Sequence, residues 1–239
     1  MDTSAIISDE QNYKLAQSDD EIFDVYPPPL TSSHYNRIIT SEWGSSYFPS
    51  PTSTGITKTR RLIHRDGDWH RSVQVWIVQK VLFDGTVRVL LQRRSKYKDT
   101  HPNMLDVSCA GHIDSGEDIT ESALRELQEE LGGMGNIKYT LNDLARSKAF
   151  VVTSSIKGET KRYGPFICNE YQDVFILWWK DENTKIDTQM FAPMNKAEVV
   201  GFELVDGEEL IRRMRSGDKS LVPRSSEYVN ALSKALGFE

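Results

Sequence analysis

The sequence predicts an α+β chain in which a mixed β-sheet lies between layers of helix, an α/β/α sandwich. Two observations carry this: strand-like segments arrive in runs without regular β-α alternation, and the helical segments fall outside those runs. A third bounds the size, because 239 residues suffice to bury a real core. A single domain over residues 21–239 is expected behind a polar, disordered tail at residues 1–20.

Taken in order, EIFDVY (Glu21 to Tyr26) reads as a short strand halted by Pro27, Pro28 and Pro29. From about 27 to 55 the chain is rich in Pro, Ser and Thr but carries Tyr35, Ile38, Ile39, Trp43, Tyr47 and Phe48. This reads as an insertion, either packed on the domain or a floppy linker. A strand is expected near Thr59 to His64, then a turn at Asp66-Gly67 and a strand alternating through Val73, Val75 and Ile77. Phe83-Asp84-Gly85 forms a hairpin into VRVLLQRRS, and LDVSCAGH runs extended. Further strands are predicted near 147–153, 164–167, 172–179 and 199–205. Helices follow near 207–215 and 225–236.

The chemistry concentrates between Gly111 and Gly133, GHIDSGEDITESALRELQEELGG. At about 100° per residue, Glu126, Glu129 and Glu130 share one face of a helix, while Ala123, Leu124, Leu127 and Leu131 form an apolar stripe. Asp118 and Glu121 sit at the positive end of the helix dipole, and Gly132-Gly133 end it. Carboxylates bunched this closely repel one another, and a hard divalent cation, Mg²⁺ or Mn²⁺, relieves that cost. Gly111 permits a close approach of backbone to such an ion.

These residues fit the pattern G-x5-E-x7-R-E-U-x-E-E-x-G-U, U being a bulky aliphatic: Gly111, Glu117, Arg125, Glu126, Leu127, Glu129, Glu130 and Gly132 match, and Gly133 departs. The segment resembles a Nudix box, and the resemblance implies the Nudix sandwich fold and metal-dependent hydrolysis of a diphosphate linkage. It implies Glu126, Glu129 and Glu130 as metal ligands and Gly111 as a backbone ligand. Arg125 then aligns Glu129 or Glu117, and Glu117 fixes the loop. The general base in such enzymes is a box glutamate, here Glu129 or Glu130, or a residue on a later loop, for which Glu198 is the candidate.

HRDGDWHR, VQVWI, LLQRRS, CAGH and NEYQDVF stand in the order of the branch resembling isopentenyl-diphosphate isomerase. That likeness implies that Arg94 and Lys98 hold diphosphate oxygens. His112 matches the isomerase metal-binding histidine and, in a hydrolase, lines the substrate pocket; Asn169 and Glu170 flank it. The isomerase thiol, however, falls where this chain has Ala110. Cys109, one residue earlier, points to the opposite side of an extended segment. Hydrolysis of a nucleoside diphosphate or related nucleotide derivative is therefore expected, with isomerase activity or a non-catalytic nucleotide-binding module as alternatives.

A net charge of −6 argues against a nucleic-acid partner and for a small-molecule diphosphate substrate. Two cysteines, Cys109 and Cys168, read as reduced thiols, and the acidic N-terminus shows no signal peptide or membrane span, so a cytoplasmic location is expected. Oligomeric state is left open, with a homodimer compatible.

Overall fold

The computed structural model describes residues 8–29, 38–40, 51–81, 83–132, 138–160, 164–180, 185–192 and 195–238. The chain enters through helix α1 (Asp9–Ala16), where the expectation was a disordered tail. The reason is local: Ser8 and Gln11 form a reciprocal capping box that satisfies the first orphan amides. Tertiary bonds then hold the helix end, with Asn195 Nδ2 donating to the Leu15 carbonyl (2.6 Å) and Lys98 Nζ to that of Ala16 (3.3 Å).

Strand β1 (Ile22–Asp24) is followed by the segment expected to be an insertion, of which Ile38–Thr40 forms β2; most of the remainder lies outside the described residues. The chain returns in β3 (Thr57–Thr59), which pairs antiparallel with β1 in a separate two-stranded sheet. Residues 60–66 then form helix α2 (Arg60–Asp66), not the strand expected from Thr59 to His64. The Asp66-Gly67 signal read as a turn is a helix C-cap: Gly67 takes φ 70°, and its N–H donates to the Ile63 carbonyl. Only Ile63 of this segment is buried, so no alternating strand pattern is present.

The large sheet is built on β4 (Trp69–Lys80), β5 (Val87–Arg94), β6 (Leu105–Asp106) and β7 (Cys109–His112). Helix α3 (Ile119–Leu131) follows, then α4 (Leu141–Ser147) and β8 (Lys148–Thr160). Strand β9 (Gly164–Trp178) runs unbroken where two strands were expected. β10 (Val199–Asp206), α5 (Gly207–Arg215) and α6 (Ser226–Ala235) complete the chain. The strand order is β10-β5-β4-β9-β8-β2, with β6 on β5 and β7 on β4. The sheet is mixed, because β4 pairs parallel with β9 and antiparallel with β5 and β7.

β4 is buried on both sides, which sorts its residues into two layers. Val73, Val75 and Ile77 pack with Ala123, Leu127 and Leu131 of α3 and Leu144 of α4. Trp76 and Val78 face Leu210 and Ile211 of α5 and Tyr228, Val229 and Leu232 of α6. Two helical layers with a mixed sheet between them make the expected α/β/α sandwich. Gln74, next along the second face, accepts from the Tyr228 hydroxyl, and here that face turns from apolar to polar.

Candidate active site

β7 pairs with β4 so that Gly111 lies opposite Val73 and Ala110 opposite Gln74. This sets the Gly111 backbone directly against α3. A Cβ at Gly111 would fall 2.0 Å from both Cδ and Oε1 of Glu126, so no other residue fits with that carboxylate in place. Glu130 Oε2 accepts from the Ala110 amide (2.9 Å) and Gln92 Nε2 (3.2 Å). The apolar stripe of α3 anchors the helix, and its other side delivers the two carboxylates beneath the β7 backbone.

Arg125 ties this arrangement together. Its Nη1 donates to Glu126 (2.7 Å) and Glu129 (3.4 Å), its Nη2 to the His112 carbonyl (3.1 Å), and Nε and Nη2 each reach Glu117 at 3.1 Å. Glu117 also accepts from the Ser122 hydroxyl at 2.6 Å. Burial works against charge on Glu117, but the bonds from Arg125 and Ser122 hold its carboxyl below the usual range. Arg125 thus engages both of the glutamates between which the sequence left its role open.

The two buried carboxylates behave alike. Burial raises Glu126 to about 7, and the charges on Glu129 and Glu198 add to this despite Arg125. Burial, then Glu126, pushes Glu130 well above the usual range, with Lys98 opposing. Two carboxylates that resist ionisation side by side, capped by a backbone with no Cβ, fit a hard divalent cation of the Mg²⁺ or Mn²⁺ type. Glu129, with its side chain 56% exposed, stands at the solvent edge of the same group.

A cleft of about 420 Å³ opens above these groups, and Gly111, Arg125, Glu126, Glu129, Arg94, Lys98, His112 and Glu198 all line it. Lys98 Nζ is 2.9 Å from Glu198 Oε2, and Asn195 Nδ2 donates to Glu198 Oε1 at 2.8 Å. Arg94 is engaged by Asp106 (3.1 Å) and the Thr100 carbonyl (2.9 Å). The His112 ring turns away from the carboxylates, with Nε2 3.2 Å from Glu170 Oε1 and Nδ1 3.0 Å from Arg60 Nη1. Asn169 does not line the cleft and instead donates to the Gly67 carbonyl at 2.7 Å. Ala110 lines the cleft, while Cys109 is fully buried in the α3 layer, where burial raises its thiol well above the usual value. Gly133 lies outside the described residues.

Sequence reasoning missed several groups. Gln92, which fixes Glu130, was hidden in a strand pattern, and Asp106, gripped by Arg94 and Arg224, lay in an apolar run. Asp24 of β1 accepts from Ser115 Oγ (2.8 Å) and the Gly116 amide (3.2 Å), fixing the loop into α3 from far away in sequence. The signal for these is the pairing of strands, which a single sequence does not display.

A family model described as "NUDIX domain" matches residues 71–225. Nudix hydrolase 3 of Arabidopsis thaliana is 37% identical over 174 residues, which cover 73% of this chain and 20% of that protein. An uncharacterized Nudix hydrolase of Clostridium acetobutylicum is 35% identical over 156 residues, 65% of this chain and 66% of the other. The chain thus spans about a fifth of the plant relative's length and just under two thirds of the clostridial one's. Among solved structures, DR0079 of Deinococcus radiodurans is 22% identical with a TM-score of 0.40, covering 69% of this chain and 82% of that one.

Proposed function

The chain belongs to the Nudix domain family, and from that premise we propose that it is a metal-dependent hydrolase cleaving the diphosphate linkage of a nucleoside diphosphate or related nucleotide derivative. The observation that carries this is the Glu126–Glu130 pair, buried, with the Glu126 carboxylate filling the space that a Cβ at Gly111 would take. Glu126, Glu129, Glu130 and the Gly111 carbonyl would hold the ion, which supplies neutralisation of phosphate oxygens and an acidified water. Arg125 is a positioning residue, because it holds Glu117, Glu126 and Glu129 in one arrangement.

Glu198 is the proposed base. Water oxygen bonds to phosphorus, the P–O bond to the leaving phosphate breaks, and the water proton passes to the carboxylate. Its partner Lys98 lines the cleft as a cation for diphosphate oxygens, and drawing Lys98 onto substrate would free Glu198 to accept the proton. Arg94 supplies a second cation in the same wall.

The branch resembling the isomerases supports a diphosphate substrate, but Ala110 lies in the cleft where the isomerase thiol would stand, which supports hydrolysis. No helix among the described residues is long and apolar enough to cross a membrane, and the free thiols Cys109 and Cys168 fit a reducing, cytoplasmic setting. The test is a panel of nucleoside diphosphates, nucleotide sugars, dinucleotide polyphosphates and prenyl diphosphates with Mg²⁺ or Mn²⁺, products identified. Metal-dependent release of phosphate products, lost in Glu129→Gln and Glu130→Gln, is the expected result. Interconversion of prenyl diphosphates without release, or binding without turnover, would overturn it.

A further inference from the structure

One charged group in the cleft wall has hydrogen-bond donors to spare. Leu105 of β6 bridges Leu221 in parallel, and Ser225 caps α6, so the segment between Leu221 and Ser225 carries Arg224 beside Asp106. Asp106 is buried and already serves Arg94, whose Nη1 donates to Oδ2 at 3.1 Å; Oδ1 accepts from the Val107 amide (2.9 Å) and from Arg224 Nη2. Two guanidiniums thus share one carboxylate, in a wall where the Arg94 and Arg224 side chains are only 13% and 10% exposed. Cations withdrawn that far from water are stabilised by a further negative charge. Glu170 favours the Arg224 charge, but its own oxygens are engaged by His112 (3.2 Å) and Gln172 (2.7 Å).

We propose that Arg224 anchors a phosphate monoester carried by the organic part of the substrate, apart from the diphosphate at Lys98 and Arg94. Of its N–H donors only Nη2 finds an acceptor among the described residues, and Arg224 lines the cleft. A planar guanidinium fork with unspent donors matches phosphate oxygens in geometry as well as charge. The fork is held in advance of any ligand, since Asp106 grips one edge and Cζ lies over the Tyr228 ring, 5.1 Å from its centre. His101 lines the same cleft with a buried Nε2 that has no partner among the described residues, on a backbone strained to φ 50°. Burial, then the Arg94 charge, lowers its proton affinity, so it brings no competing cation.

The floor beside Arg224 suits a polar group and not an apolar one. The Tyr228 hydroxyl donates to Gln74, and Gln74 lies opposite Ala110 in the β4–β7 pair, so the guanidinium stands at the Ala110 end of the cleft. Ser72, two residues before Gln74 on the same face of β4, lies opposite Gln172 of β9; all three line the cleft, and the Ser72 hydroxyl is buried with no partner among the described residues. A prenyl chain laid here would leave these groups unpaired and the Arg224 charge without an anion. Asp106 bridges Arg94 to Arg224, so one substrate can span both cations. The choice of substrate rests on the reading of the cleft as a diphosphate hydrolase site; the anion site does not.

The test follows the Arg224 Nε–H nuclear magnetic resonance signal of the isotope-labelled full-length protein in Mg²⁺ as inorganic phosphate is added. The signal is assigned by its absence from Arg224→Gln and by its contact with the Tyr228 ring protons, so it is read even if that variant fails to fold. It should shift and saturate, and do so equally in Lys98→Gln and Glu129→Gln, which separates this site from the diphosphate and metal groups. Coenzyme A and dephospho-coenzyme A share a diphosphate and differ by a single phosphate monoester. Their binding to Glu129→Gln, measured by calorimetry without turnover, should favour coenzyme A at least about tenfold. Adding Arg224→Gln should bring that ratio to about one. A signal that ignores phosphate or loses its response in Lys98→Gln, or equal affinity for the two compounds before Arg224 is changed, overturns the proposal. Absence of turnover across the diphosphate panel, with the phosphate response intact, overturns only the hydrolase reading.

Discussion

Gly111 is the position where one methyl group decides whether the Glu126 carboxylate can stay in place. Gly111→Ala would put Cβ 2.0 Å from the Glu126 carboxylate and drive that group out from under β7. A displacement of this order costs about 10²-fold in rate when a positioning group moves by about an ångström. Metal-dependent kcat/KM of the alanine variant should fall by about that factor with the melting temperature nearly unchanged; full activity would show that Glu126 holds no ion.

Glu126 carries a second prediction at the same scale. Its carboxyl stands at about 7 in the metal-free fold against an ordinary 4.5, so the folded state binds its proton more tightly than the unfolded chain does. The sign follows: that contribution to stability is whole below about 4.5 and is lost as pH rises through about 7. In a chelator, the melting temperature should therefore drop between about pH 5 and about pH 8. Glu126→Gln should flatten this slope, and Mg²⁺ should offset it in the unaltered chain. An identical slope in the glutamine variant would assign the pH dependence elsewhere. At this scale the carboxylates were legible because helix spacing alone gathers them. The close grouping of His64, His70 and Cys168 was not, because it needs α2 packed beside the paired strands β4 and β9.

Among the elements, the central strands are stapled by charge. Arg71 of β4 donates to Asp173 of β9 through Nε (3.0 Å) and Nη2 (2.9 Å), and Lys148 of β8 reaches the same carboxylate at 2.7 Å. Asp173 is wholly buried, so removing it leaves the Arg71 charge enclosed without its partner. Asp173→Ala should cost about 3–5 kcal/mol, read as a lower denaturant midpoint at constant slope. A loss below about 1 kcal/mol would mean that water reaches the pair. Element identity was legible wherever periodicity was long, as in α3, α5, α6 and β10. It failed at α2, where seven residues bury only Ile63, and at α1, where a capping box and tertiary bonds outweigh a polar composition.

At the scale of the whole molecule, the cleft is closed by chain ends remote in sequence from its floor. α1 lays Ala16 and Gln17 along the cleft, and both are buried. Tyr97 bonds Asp9 (2.7 Å), Asn195 bonds the Leu15 carbonyl, and Arg60 bonds Gln17 (3.3 Å). Lys98, the proposed cation for diphosphate, rests one of its donors on the Ala16 carbonyl. Removing residues 1–17 would leave Lys98 held by Glu198 alone and free to swing with it. Neither helical layer counts a residue of α1 in its core, so the truncated chain should still melt in one cooperative transition. Losing the equivalent of one or two net hydrogen bonds should raise KM roughly tenfold. Because Asn195 still anchors Glu198, kcat should change only a few-fold. Steady-state kinetics of the truncated protein check this, and an unchanged KM would show that α1 only packs on the domain and does not shape the site.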